Sequence, residues 1–156
     1  MEIIAQPAPP RGLTRLLYRL PNKLYRAGFG RLVPARLLYL VHIGRKSGRR
    51  RTVVLEVVGR RGGSYVVCSG FGPSADWYRN VLATPEVDIQ VRGTRSRAKA
   101  VVLDAEEGAE IMAEYGARHP RLGRNLARYM GFAVDGSEAD FREVGRRRPF
   151  VRLDPR

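Results

Sequence analysis

The sequence predicts a single antiparallel α+β domain or small barrel. Three observations lead there. Five apolar, β-branched segments stand between residues 37 and 103, most of them joined by Gly-containing turns short enough for hairpins. Helical periodicity is confined to the two ends of the chain and to one short insertion. A chain of 156 residues suffices for one hydrophobic core, burying roughly 70% of the surface an unfolded chain exposes, with little room for a second domain.

Residues 1–10 (MEIIAQPAPP) are Pro-rich and are expected to be disordered; they lack the basic start and apolar run of a signal peptide. Residues 11–28 have helical spacing. Leu13, Leu16, Leu17, Leu20 and Leu24 share one face, while Arg11, Arg15, Arg19, Lys23 and Arg26 share another. Pro21 splits or kinks this segment. It either packs on the domain with a solvated basic edge or lies on an anionic membrane surface. Residues 37–43 are a nearly continuous apolar strand, 44–50 a polar turn, and 52–58 (TVVLEVV) a second strand. RRGG at 60–63 turns into a third strand at 65–69. Asp76 stands near the start of a short helix reaching Ala83. Residues 87–91 alternate apolar and polar, and Gly93 and Thr94 turn into a strand ending at Leu103. Asp104, with Glu107 three residues on, caps a helix that carries Ile111, Met112 and Tyr115 and stops before Pro120. A second helical stretch reaches about Met130, and residues 149–153 close the domain as a strand.

Charge is the strongest compositional signal: 29 Lys+Arg against 15 Asp+Glu, a formal +14. It is local. Four acid-free stretches, residues 11–26, 45–51, 92–99 and 146–148, hold 17 of the 29 cations, and the remainder is slightly acidic. The partner is therefore anionic: a nucleic acid, an acidic membrane or a small molecule bearing phosphate or carboxylate. No aromatic residues interleave with the arginines as they do in stacking platforms, which argues against nucleic acid. No apolar run approaches the ~20 residues of a membrane span, and the chain reads as cytoplasmic. Cys68 is alone, so no internal disulfide is possible. His42 and His119 fit no metal-ligand spacing, and no metal site is expected.

Two segments suit a ligand. GRKSGRRR at 44–51 puts five cations and two glycines between two strands, where backbone N–H groups and positive side chains can meet an anion. SGFGPSADWYRN at 69–80 ends a strand in a Gly-rich loop and opens a helix, another place where anions collect. Trp77, Tyr78, Val81 and Leu82 would equally serve to pack that helix on the sheet. Glu56, an acid within TVVLEVV, faces solvent or lines a pocket beside the basic loop. With no acid/base pair or nucleophile apparent, the chemistry belongs to a bound cofactor and the catalytic residues remain unassigned.

An apolar strand leading into GRKSGRRR, then TVVLEVV, a hairpin, VVCSGFG and ADWYRNVLATPEVDIQV closely resemble the deazaflavin-dependent nitroreductase family. The resemblance runs from about residue 20 to about residue 153. It implies a split β-barrel with an N-terminal helix, one inserted short helix and C-terminal helices, making residues 11–156 one deazaflavin-binding domain. It implies coenzyme F420, a hydride carrier with a phosphate and an oligoglutamate tail, with FMN as the alternative cofactor. Arg45, Lys46, Ser47 and Arg51 match the positions that hold the phosphate and tail. Thr52, Val53, Val54, Leu55 and Glu56 match the strand beside the deazaflavin. Val67, Cys68, Ser69 and Gly70 match the strand end against the ring. Asp76, Trp77, Tyr78, Arg79 and Asn80 match the helix that closes the pocket. The implied reaction is hydride transfer to an electron-poor small molecule, namely a quinone, an activated alkene or a nitro compound, with a proton from water or a nearby Ser or Tyr. A non-catalytic coenzyme carrier is the other alternative. A homodimer and a position at the inner face of the cell membrane are compatible with this expectation.

Overall fold

A computed structural model describes residues 1–3 and 36–156. Strands β1 (Glu2–Ile3), β2 (Leu37–Ile43), β3 (Arg50–Arg61) and β4 (Ser64–Cys68) precede helix α1 (Asp76–Ala83). Strands β5 (Glu86–Val91) and β6 (Thr94–Val102) follow it, then helices α2 (Ala105–Arg118) and α3 (Pro120–Tyr129). The two-residue strand β7 (Phe132–Ala133), helix α4 (Glu138–Arg147) and strand β8 (Phe150–Pro155) complete the order. Six strands close an antiparallel barrel in the order β2-β3-β4-β8-β6-β5, so the α+β barrel expected from the sequence is present. The helical segment read at residues 11–28 lies outside the described residues, as does most of the N-terminal stretch expected to be disordered. Glu2 and Ile3 pair with Ala133 and Phe132.

The period of two decides which side chains fill the barrel. On β2, Leu38, Leu40 and His42 point inward and are buried, while their neighbours are half-covered. Val53, Leu55 and Val57 on β3 pack toward the same interior, with Val67, Val87, Ile89, Ala98, Val151 and Leu153. A second apolar layer lies between the barrel's outer wall and the helices, where Val58, Val66 and Phe150 meet Ile111, Met112, Tyr115, Met130, Phe141 and Val144. A bulge in β3 shifts the register between Val57 and Gly59. There a Cβ on Gly59 would come 3.0 Å from Ile111 Cδ1, so glycine lets α2 lie close on the wall.

Sequence periodicity located α1, α2 and α3 but not α4. That helix buries only Phe141, Val144 and Gly145, too short an apolar stripe to stand out from EADFREVGRR. Its start was nonetheless written in the sequence: the Ser137 hydroxyl accepts from the Asp140 N–H at 3.2 Å, an N-cap. The capping expected at Asp104 is present, with Oδ1 accepting from the Glu107 N–H at 2.8 Å.

Candidate functional site

Connectivity and the hydrogen bonds of Arg45 bring together the two segments that the sequence singled out. β2 runs out into the basic turn, β4 runs out into Ser69 and Gly70, and α1 spans the gap from there to β5. The two segments that the sequence singled out are therefore neighbours.

The basic turn is shaped from within. The Gly44 N–H donates to the Arg49 carbonyl and the Gly48 N–H to the Gly44 carbonyl, both at 2.8 Å. Gly48 takes φ 69°, which favours glycine. A Cβ on Gly44 would meet Ser47 Oγ at 2.5 Å and Arg51 Nε at 3.3 Å, so the first glycine is needed for close approach. Lys46, Ser47, Arg49, Arg50 and Arg51 are all exposed. Arg50 reaches Asp88 at 3.3 Å. Lys46, Arg49 and Arg51 have no ion pair among the described residues.

Arg45 behaves differently from its neighbours. Its Nη2 meets Asp76 Oδ1 at 3.2 Å and its Nη1 donates to Asn80 Oδ1 at 2.8 Å. Its main-chain N–H donates to the same oxygen at 3.0 Å. It anchors the loop to α1 instead of standing free for a ligand. Asn80 Nδ2 lies 3.0 Å from His42 Nδ1. Burial, reinforced by the positive charge of Arg51, lowers the His42 pKa to about 4.

The remaining expected positions divide by direction. Trp77 and Tyr78 turn into the barrel core with their rings edge to face, 6.0 Å apart, and Val81 joins them. Leu82, expected to pack with them, is 51% exposed. Arg79 is exposed. Val53, Leu55 and Val67 fill the barrel, and Thr52 and Val54 lie half-buried on the other face of β3. Cys68 packs toward the helices, where burial pushes its thiol pKa up, so it is no ready nucleophile.

Glu56 corrects an expectation. It neither faces open solvent nor lines a pocket beside the basic loop. It accepts a 2.6 Å hydrogen bond from the Tyr115 hydroxyl on α2. Glu56 pairs with Leu37 whereas Arg51 pairs with His42, a separation of about 16 Å along the strand. Burial and the Glu56 carboxylate raise the Tyr115 pKa. Ser69 is likewise committed: it is fully buried and its hydroxyl donates to the Gly72 carbonyl at 2.6 Å. No hydrogen bond engages the Gly70 N–H or C=O among the described residues. The Tyr129 ring lies 3.5 Å from where a Gly70 Cβ would stand and 5.3 Å from the Phe71 ring. Sequence reasoning did not single out Phe71 or place Tyr129 here. Helix spacing within α3 carried no sign that its end reaches the β4 exit.

The other two basic clusters are largely neutralised or turned elsewhere, although Arg97 shares Asp88 with Arg50 of the basic turn. The Arg92-Gly93 turn follows Val91, which pairs with Leu38 at the opposite barrel end. Arg146 and Arg147 pair with Glu106 and Glu143. Arg148 donates to the Met130 carbonyl and stacks 4.7 Å over Phe132.

A family model described as F420H(2)-dependent quinone reductase matches residues 17–128. A Mycobacterium tuberculosis (strain H37Rv) protein, itself only provisionally named an F420H(2)-dependent quinone reductase, is 36% identical over 87 residues, or 54% of this chain and 71% of that protein. Among solved structures, the F420-H2 dependent reductase FDR-A has a TM-score of 0.55 at 21% identity, covering 78% of this chain and 96% of its own. A structure described as a domain-swapped dimer has a TM-score of 0.54 at 21% identity, covering 86% and 99%. At these identities the two structures show a shared fold.

Proposed function

The chain belongs to the F420H(2)-dependent quinone reductase family, and from that premise we propose how its own residues serve the reaction. The protein is an oxidoreductase that uses coenzyme F420 and reduces quinone-type acceptors. When bound, the reduced deazaflavin supplies a hydride carrier, so the protein's tasks are binding, orientation and electrostatics.

The observation that carries the site assignment is the set of three exposed cations, Lys46, Arg49 and Arg51, without an acidic partner among the described residues. The loop that carries Gly70, whose main chain is unbonded among the described residues, leads into α1, and Asp76 and Asn80 of α1 hold Arg45 of the basic turn. A phosphate and a run of glutamates need several cations at once, and a flat ring needs main-chain donors on a strand end. The residues present fit both demands. Lys46, Arg49 and Arg51 would hold the anionic tail, with Gly44 and Gly48 shaping the loop. Gly70 would meet the ring, with Tyr129 and Phe71 beside it. Ser69 Oγ–H is spent on Gly72, which leaves solvent or the hydroxyl of Tyr129 as the proton source.

The test is a fluorescence titration with F420 and with FMN under identical conditions, followed by reoxidation of reduced F420 with menadione. Tight F420 binding and quinone-dependent turnover are expected. Submicromolar FMN binding without F420 binding would overturn the assignment. Binding of F420 with no turnover on any quinone would favour a carrier. The Leu13 to Leu24 stripe flanked by five cations supports a further proposal, peripheral contact with an anionic membrane. Deleting residues 11–28 should then reduce partitioning onto anionic liposomes. A homodimer, which the domain-swapped neighbour makes compatible with this fold, is checked by sedimentation.

A further inference from the structure

Asn80 is 2% exposed, and its amide is spent on two other elements. Its Oδ1 accepts from the Arg45 N–H at 3.0 Å and from Arg45 Nη1 at 2.8 Å. Both groups can only donate, so the atom facing them must be the amide oxygen. The amide nitrogen therefore faces His42, 3.0 Å from Nδ1. A nitrogen donating there requires Nδ1 to be bare, which makes His42 the neutral tautomer with its proton on Nε2. The charged groups bearing on the ring are Arg51 from β3 and Asp76 from α1; burial and Arg51 keep the ring unprotonated.

The basic loop needs such an anchor. Five cations within residues 45–51 repel one another, and a free loop would relieve the repulsion by spreading. Arg45 is the loop residue tied to α1, through a main-chain bond that fixes the backbone and a side-chain bond that fixes the guanidinium. A neutral amide achieves this without adding another negative charge beneath the cations. The charges of Lys46, Arg49 and Arg51 are left for a ligand.

We propose that Asn80 is a positioning residue for the coenzyme's anionic tail, holding the basic loop against α1 through Arg45 and His42 without touching the coenzyme. This rests on the coenzyme assignment above. It gives Asn80 a more specific role than closing the pocket, which is what the family resemblance implies for its helix.

Three measurements on the full chain test it. The first compares binding of F420 with binding of the tail-less deazaflavin, 8-hydroxy-5-deazariboflavin, which lacks phosphate and glutamates. Asn80→Ala should weaken F420 binding about tenfold, the scale of one lost net hydrogen bond, and leave the tail-less compound unchanged. The second is amide hydrogen exchange in the coenzyme-free protein, where Asn80→Ala should speed exchange of the Arg45 N–H. The third uses Asn80→Asp, which keeps an acceptor for Arg45 but faces His42 with an oxygen. The His42 titration, followed by NMR, should rise toward its ordinary range, and an unchanged His42 titration would overturn the Asn80–His42 link. Equal weakening of both deazaflavins by Asn80→Ala would overturn the proposal, and so would no change in either. If the wild-type chain binds neither compound, the coenzyme assignment fails. In that case unchanged Arg45 exchange would overturn the anchoring role as well.

Discussion

His42 sits where the chemistry of one side chain is set by its surroundings. An unfolded-state imidazole takes up its proton near pH 6.5, the folded one only near 4. Between these values the unfolded chain binds more protons, so stability falls as pH drops through that window, by up to about 3 kcal/mol. Urea unfolding at pH 7 and pH 4.5 checks this against His42→Gln, whose carbonyl can still accept from Asn80. The wild type should lose more stability on acidification than the variant; equal losses would refute the assignment. Lys46 and Arg51 belong to the same scale. Lys46→Ala with Arg51→Ala should weaken F420 binding by about tenfold or more, with a shallower salt dependence than the wild type. Arg92 carries a different burden, a φ of 55° without being glycine. Asparagine tolerates that conformation better, and Arg92→Asn should raise the melting temperature, a gain of up to about 1 kcal/mol.

At the scale of elements, two helix contacts carry the outer layer. α2 and α4 cross where Gly108 and Gly145 face each other. A Cβ on Gly145 would strike the Gly108 carbonyl oxygen and come 2.6 Å from Ala109 Cα. These are main-chain atoms that cannot step aside, so Gly145→Ala should destabilise the fold by roughly 2–3 kcal/mol in chemical denaturation. Tyr115 pins α2 to the barrel wall through Glu56. Tyr115→Phe removes the donor and leaves a half-buried carboxylate short of a partner, a loss of about 1–3 kcal/mol. The sequence's legibility also divides by element. β2 and α1 were readable to the residue, because an apolar run between turns and a Gly-rich loop before a helix are local signals. The crossing of α2 and α4 was not, since GAEI and VGR show no pattern until the two backbones are brought together. Glu56 is the sharpest case. Its strand was plain, but the partner that explains it lies 59 residues away.

For the whole molecule, the +14 proves to be several different things. Residues 146–148 spend their charge on Glu106, Glu143 and a carbonyl, and Arg97 shares Asp88 with Arg50. In the basic turn, Lys46, Arg49 and Arg51 have no ion pair among the described residues. The sequence showed where cations cluster but not which would be neutralised, because acids such as Glu106 and Asp88 arrive from other elements. The barrel's strand order has a further consequence. β8 lies between β4 and β6 and pairs with both, yet it follows each of them in the chain by dozens of residues. A ribosome therefore presents β4 and β6 long before their common partner exists, with two unpaired edges exposed in the nascent chain. Until residues 150–155 emerge, the wall stays open, and the barrel has no fixed shape to offer a ligand.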